Sequence, residues 1–170
     1  IGVSIGTAVF PHDGDSYETL LATADSRMYR DKTRRKRHGV PDVEPSAADL
    51  VAKFADVDVA GMKVRAWTYN GGLPGPLIKT RVGDRVIVHF RNELAEPTTV
   101  HWHGVRVPIE MDGVPDISQP PVKQGESFTY DFILSDAGLF WYHPHVMSAA
   151  QVGFGLYGPL LVDDPDDTVN

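Results

Sequence analysis

Four of the seven histidines of this sequence occur as two His-x-His pairs, His101 with His103 and His143 with His145. In a β-strand the side chains alternate between the two faces, so residues two apart point the same way. Each pair therefore presents two imidazoles about 6–7 Å apart on one face, since a strand rises ~3.3 Å per residue. Imidazole is a ligand for copper, zinc, iron and nickel, and copper(II) has the highest affinity in the divalent series. Two such pairs in one chain predict a metal site.

The other histidines and the methionines are weaker candidates for this site. His12, His38 and His89 each stand alone, and we expect His89 to be a surface or packed residue on the second face of its strand. Met111 and Met147 are soft enough to bind copper, but a methionine more often fills a gap in the packing. We therefore predict that none of these five residues is a ligand.

Short β-strands are the elements that must position the two pairs. Val86, Val88 and Phe90 alternate with Ile87, His89 and Arg91, residues 127–134 alternate again, and the 16 glycines and 13 prolines favour turns between short strands. Trp102 and Tyr142 lie between the paired histidines, so they should point to the opposite face and pack in the core. Pro144 cannot donate to a strand ladder, which places the second pair at a strand end or a sheet edge. The pattern predicts an all-β sandwich or barrel.

Composition and charge exclude several classes of function. The formal net charge of -7 argues against nucleic acid as a partner, and no apolar run is long enough to cross a bilayer. The chain contains no cysteine, which rules out a disulfide and a thiolate metal ligand. No signal peptide is visible, but the chain begins at Ile1 rather than Met, so this leaves the location undecided.

The first 36 residues predict one strand and one helix that are separate from the rest. Residues 1–10 alternate between large apolar and small side chains, and Asp15 with Glu18 forms a capping-box pattern before a run with helical spacing. This segment resembles the C-terminal end of GGDEF-type diguanylate cyclase domains. The signature Gly-Gly-Asp-Glu-Phe turn is absent, so we interpret residues 1–36 as a remnant, a fusion scar or a cloning product, without cyclase activity.

Residues 37–48 are predicted to be a linker, followed by the main domain at 49–170. The basic run at 34–37 could be a nucleic-acid signal, but residues 1–44 contain seven basic and seven acidic groups, so its charge is locally balanced. Residues 45–170 contain nine basic and sixteen acidic groups, which is the whole net charge. This shift in composition supports a domain boundary near residues 44–48.

The main domain resembles the first, N-terminal cupredoxin domain of a laccase-type multicopper oxidase over residues 50–165. Seven motifs occur in the order found in that family: NGGLPGP at 70–76, VGD at 82–84, HWHG at 101–104, MDGVP at 111–115, QGESFTY at 124–130, FWYHPH at 140–145 and GLYGP at 155–159. The resemblance implies a cupredoxin-like Greek-key β-sandwich. It also implies a copper-dependent oxidoreductase, and relatives of this type are usually exported.

The resemblance also implies roles for individual residues. His101 is similar to a ligand of the type 2 copper, and His103, His143 and His145 are similar to ligands of the type 3 copper pair. Together these ions form a trinuclear cluster that reduces dioxygen to water. Asp112 resembles an acidic residue that passes protons near the cluster, although Asp-Gly is also a common turn pair.

Half of the copper ligands of such an enzyme are absent from this chain, which leaves several hypotheses open. The type 1 copper needs a cysteine, so the chain could oxidise a phenolic or other small reductant only if further domains complete it. It could instead bind copper without turnover, or two copies could oppose their histidine faces and complete the cluster as a homo-oligomer. An electron-transfer cupredoxin is rejected because a blue copper site requires a thiolate.

Overall fold

The computed structural model describes residues 46–164, and the strand and helix predicted for 1–36 lie outside the described residues. The chain divides into two units, residues 1–42 and 43–170. The first strand begins at Ser46, so residues 46–48, which we assigned to the linker, belong to the β-structure. The linker prediction was wrong at this end. Pro45 and the small residues after it have the composition of a loop, but residues 46–48 pair with residues 86–88, and this pairing makes them part of a strand.

The described residues form eight strands and two short helices. In chain order these are β1 (Ser46–Val59), β2 (Met62–Tyr69), β3 (Ile78–Arg81), β4 (Arg85–Asn92), β5 (His101–His103), a 3-10 helix (Ile109–Met111), β6 (Ser127–Ile133), β7 (Gly138–His143), α1 (Ser148–Gly153) and β8 (Gly158–Asp163).

The strands form two four-stranded sheets, with the orders β2-β1-β4-β6 and β3-β8-β7-β5. The pairs β1–β4 and β3–β8 are parallel, and the other neighbours are antiparallel. Crossovers between distant strands create this order, as in a Greek-key sandwich. The predicted all-β, cupredoxin-like fold is confirmed. Within residues 46–164, neither helix has the length and apolar character needed to span a membrane.

The core lies between the sheets and is rich in aromatic rings. Trp102 is fully buried, and its ring centroid lies 5.4 Å from that of Tyr130, 5.0 Å from Phe132 and 5.8 Å from Tyr142. Burial of each large apolar side chain stabilises the fold by roughly 1.5–3 kcal/mol. The residues between the paired histidines are therefore packing residues, as predicted, and they hold β5 and β7 against the other sheet.

Candidate metal centre

The pairing of β5 with β7 brings the two histidine pairs together. The strands are antiparallel, and His101 lies directly opposite His143. The ring centroids of His101 and His143 are 5.3 Å apart, those of His103 and His143 are 5.4 Å apart, and those of His101 and His103 are 5.8 Å apart. One ligand nitrogen from each of these three residues lies within 4.8 Å of the other two. This group of three is the candidate metal centre.

His145 lies beside this group rather than in it. It follows the end of β7 at His143, which agrees with the strand end predicted from Pro144. Its ring centroid is 4.8 Å from that of His101 and 6.1 Å from that of His143. The structure therefore brings all four predicted ligands to one face of the second sheet, with three of them within reach of one another.

The nitrogen positions fit a bound transition-metal ion. The Nδ1 atom of His103 is 3.2 Å from the Nε2 atom of His143. Imidazole nitrogens bind ions such as zinc at ~2.0–2.1 Å, so two nitrogens that share an ion lie no more than about 4 Å apart. An all-imidazole donor set without carboxylate or thiolate also suits copper and zinc better than magnesium or calcium.

Hydrogen bonds orient two of the rings so that one nitrogen is left for a metal. The Nδ1 of His101 lies 2.7 Å from the carbonyl oxygen of Asp112, and the Nδ1 of His143 lies 2.9 Å from that of Pro144. Because a carbonyl can only accept, both Nδ1 atoms are donors and both Nε2 atoms are unprotonated in the neutral ring. Burial lowers the pKa of His143, which keeps this ring in the neutral form that binds metals.

Asp112 reaches the site with both its backbone and its side chain. In addition to the carbonyl contact, its Oδ1 atom lies 3.2 Å from the Nδ1 of His101. This approach depends on Gly113, which has a φ of +71°, and a Cβ placed there would lie 2.0 Å from the carbonyl oxygen of Val100. The predicted acidic residue is thus beside the first histidine pair.

His89, the one histidine outside the two pairs among the described residues 46–164, does not join the group. His89 is exposed on β4, and its Nδ1 lies 3.3 Å from the hydroxyl of Thr129 on β6, the neighbouring strand of the same sheet. This agrees with its prediction as a surface residue. His12 and His38 lie outside the described residues.

Met111, Met147 and the neighbouring acid Glu110 have the surroundings of packed or solvated side chains. The sulfur of Met111 accepts the backbone N–H of Asp131 at 3.3 Å, as expected for a packed side chain. Met147 is 72% exposed, so the packing role that we expected for it is wrong. Glu110 is a solvated residue of the 3-10 helix.

Sequence reasoning missed Trp141 as part of the site. Its ring stacks on that of His143, with centroids 4.1 Å apart and planes inclined by 27°, and it lies 5.1 Å from the ring of His103. The signal was available, because residues 141 and 143 are two apart in a strand and must share a face. Trp141 forms one wall of the candidate metal centre.

Comparison with known proteins supports a single family. A family model described as multicopper oxidase matches residues 52–167. A multicopper oxidase of Mycobacterium tuberculosis is 42% identical over 120 residues, covering 71% of this chain and 23% of that protein. A copper resistance protein A homolog of Pseudomonas syringae pv. tomato is 40% identical, and the match covers 74% of this chain and 21% of that protein. A laccase-1 of Cryptococcus neoformans is 35% identical, and the match covers 86% of this chain and 23% of that protein.

Solved structures agree with this result. A multi-copper oxidase from Pseudomonas thermotolerans aligns with a TM-score of 0.71 at 49% identity, covering 74% of this chain and 31% of that one. A blue copper oxidase from Nitrosomonas europaea aligns with a TM-score of 0.69 at 34% identity, covering 73% and 40%. The chain thus spans about a fifth to a quarter of the length of the curated relatives named above.

Proposed function

Because this chain belongs to the multicopper oxidase family, we propose that its histidine face supplies half of the ligands of a copper cluster that reduces dioxygen to water. The observation that carries this proposal is the convergence of ligand nitrogens from His101, His103 and His143 to within 4.8 Å of one another. When bound, copper would pass to dioxygen the electrons that it receives from a reductant. The residues of the chain hold the metal and control water and protons around it.

The four histidines are assigned different tasks in this proposal. His103 and His143 would share one ion of the type 3 pair, which the separation of 3.2 Å between their nitrogens supports. His145 would bind the second ion of that pair, and His101 would bind the type 2 ion through Nε2, since its Nδ1 faces Asp112. Because neighbouring imidazoles on one strand face can reach different ions, two short strands suffice to hold a compact cluster.

Asp112 is proposed as the residue that moves protons at this site. Its Oδ1 atom is within 3.2 Å of His101, and its side chain is 35% exposed, so it can exchange protons with water and stay close to the cluster. Its backbone carbonyl fixes the tautomer of His101 at the same time. A carboxylate that both orients a ligand and faces solvent suits delivery of protons to reduced oxygen.

The remaining ligands would have to come from outside this chain. His103 and His145 are exposed, and the same sheet face presents Leu139 at 75% exposure and Trp141 at 37%. An apolar surface around exposed ligands favours a partner surface that brings its own imidazoles. We propose that further domains supply these ligands and a type 1 copper site. Oxidation of a phenolic or other small reductant would require that complete assembly.

Copper binding by matched variants tests the proposal. The double variant His103→Ala/His143→Ala should bind far less copper than the wild type, because it removes both nitrogens that would share an ion. The control variant His89→Ala removes an exposed imidazole outside the group and should bind copper as the wild type does. Metal analysis after dialysis measures both. Equal copper content in the double variant and the wild type would show that the ligand assignment is wrong.

A homo-oligomer is the second candidate, and the exposure of His103 and His145 on one sheet face favours it. Two copies related by a two-fold axis could oppose these faces and complete the set of imidazoles. Analytical ultracentrifugation with and without copper separates the two candidates. A copper-dependent dimer that consumes oxygen with a phenolic reductant supports the homo-oligomer, and a strictly monomeric copper-loaded chain excludes it.

We also propose that residues 1–36 are a separate GGDEF-like remnant joined by a linker to the cupredoxin domain. The sequence pattern of this segment and the shift in charge near residue 44 support the division. Limited proteolysis should cut the full chain first between about residues 37 and 45 and leave a fragment that retains copper. Cleavage that begins inside 46–164 would contradict the boundary.

A further inference from the structure

The backbone ladder between β5 and β7 stops where the second histidine pair begins. His143 is the last residue of β7, and Pro144 has no N–H to continue the ladder. The register that pairs His101 with His143 would, if continued by two residues, place His145 opposite Thr99. The sheet itself therefore fixes the first three candidate ligands and leaves the fourth without a ladder bond.

The hydroxyl of Thr99 takes the place of that missing bond. Its Oγ1 atom accepts the backbone N–H of His145 at 3.2 Å, across 46 residues of chain. Thr99 is fully buried, so water does not compete for its hydroxyl. The contact joins the strand segment before the first pair directly to the backbone of the last histidine.

A second tie comes from the helix that follows His145. Gln151 of α1 is 1% exposed. Its Nε2 atom donates to the carbonyl oxygen of Pro97 at 3.0 Å, and its Oε1 atom accepts the hydroxyl of Thr98 at 2.7 Å. The oxygen and the nitrogen of the Gln151 side-chain amide both form hydrogen bonds, so the orientation of the amide is determined. Loss of either hydrogen bond would leave a buried polar group without a partner. The helix after the second pair is thereby fixed to the segment before the first pair.

We propose that Thr99 and Gln151 are positioning residues for the metal centre, which set the place of His145 relative to the other three histidines. Thr99 acts on the backbone of His145, and Gln151 acts on the helix that follows it. The inference rests on the proposed function, since it assumes that His145 is a ligand. Residues that orient ligands commonly change metal affinity by 10- to 100-fold when they are replaced.

Hydrogen exchange of the metal-free full chain tests the structural part. The His145 amide should be protected in the wild type and in Thr99→Ser, which keeps the hydroxyl, and should exchange rapidly in Thr99→Val, which removes it at nearly constant volume. The His143 amide should keep its protection in all three proteins, because β7 remains paired. An unprotected His145 amide in the wild type would overturn the inference, whatever happens with copper.

Copper(II) titration with electron paramagnetic resonance tests the positioning role. We expect copper affinity about 10-fold lower or more in Thr99→Val, with altered hyperfine splitting, and recovery of both in Thr99→Ser. Gln151→Met, which keeps a long side chain but loses both bonds, should change affinity in the same direction and tests the second tie independently.

Thr68→Val is the matched control for this titration. Thr68 is also fully buried, and its hydroxyl accepts the backbone N–H of Gly71 at 3.1 Å. It lies in β2, which belongs to the sheet that does not contain the candidate ligands. It should lose stability and keep the wild-type affinity and spectrum. If Thr99→Val binds copper like the wild type and with the same spectrum, the positioning role is wrong. If the wild type binds no copper, the proposed function fails, while hydrogen exchange still decides whether Thr99 fixes His145.

Discussion

At the scale of single residues, the chemistry of the site depends on which nitrogen of each ring is free. Two backbone carbonyls, those of Asp112 and Pro144, accept the Nδ1–H groups of His101 and His143. Each ring can therefore turn only its Nε2 atom towards a metal. The stacking of Trp141 on His143 further restricts the orientation of that ring. The rings of His101 and His143 are thus oriented by the protein before any ion binds.

Gly113 is the residue where this arrangement is most sensitive. Gly113→Ala would place a Cβ 2.0 Å from the carbonyl oxygen of Val100 at a φ of +71°. We expect a loss of at least about 2 kcal/mol of unfolding free energy, because both the clash and the left-handed conformation are costly. The Asp112 carbonyl would also move away from His101, so copper affinity should fall. Urea denaturation and copper titration measure the two effects.

Gly125→Ala is the control for this prediction. Gly125 has a φ of +80°, but a Cβ there meets no atom within 4 Å. Gly125→Ala should lower the free energy of unfolding by only about 1–2 kcal/mol, the cost of the left-handed backbone conformation, and should leave copper affinity unchanged. Equal losses of stability in the two variants would mean that the close approach at Gly113 has no energetic role.

At the scale of secondary-structure elements, the two sheets contribute differently. The sheet β3-β8-β7-β5 presents the candidate ligands on its outer face and the aromatic core on its inner face. The sheet β2-β1-β4-β6 covers that core. Its strands β4 and β6 are joined by an ion pair in which Arg85 donates to both carboxylate oxygens of Asp131, at 2.8 and 2.6 Å.

This ion pair predicts a small pH dependence of stability. Hydrogen bonding from Arg85 lowers the pKa of Asp131 in the folded protein. The ion pair therefore contributes fully to the free energy of unfolding above the ordinary carboxyl pKa of about 3.9, and this contribution is lost as pH falls through the lowered pKa of the folded protein. The difference in stability between the wild type and Asp131→Asn should therefore shrink from about pH 5 to about pH 2. It should be modest at all pH values, since the side chains are 50% and 36% exposed.

Urea midpoints measured across this pH range check the prediction. Asp56→Asn is the control, because the pair of Arg65 and Asp56 has a longer contact of 3.8 Å and both side chains are 69% exposed. It should change the midpoint less than Asp131→Asn at neutral pH. A difference for Asp131→Asn that grows towards acid pH would contradict the assigned sign.

At the scale of the whole molecule, residues 46–164 form an all-β domain with an open face that presents the candidate ligands. It contains no cysteine, so a blue type 1 copper site cannot form from its residues alone. The family relatives are several times longer, and the proposed activity belongs to an assembly that includes this face. Copper binding, in contrast, should be a property of the chain itself.

Copper should therefore stabilise the folded chain. A ligand that binds the folded state at 100 times its Kd adds about 2.7 kcal/mol, which for a protein of this size raises Tm by about 5–10 °C. We expect such a rise with Cu(II), its reversal by a chelator, and its absence in His103→Ala/His143→Ala. Differential scanning calorimetry measures it. A similar rise in the double variant would place the bound copper elsewhere, and an intense blue colour would contradict the ligand chemistry proposed for this chain.

The alternation of side chains in short strands was sufficient to predict the all-β class, the burial of Trp102 and Tyr142, and the strand end at Pro144. These are local properties, because side-chain direction in a strand depends on position alone. The start of β1 at Ser46 was not predictable in this way, since it depends on pairing with β4, about 40 residues further along the chain.

The amino-acid sequence by itself determined which residues could bind a metal and that each pair would share one strand face. Only the tertiary structure decided that the two pairs meet, because the register of β5 on β7 places His101 opposite His143 across about 40 residues of chain. It also decided which nitrogens are free, through the carbonyls of Asp112 and Pro144, and how His145 is fixed, through Thr99. The physical reason is that residue type and alternation are local, whereas distances between ligands arise from pairing between strands that are far apart in the chain.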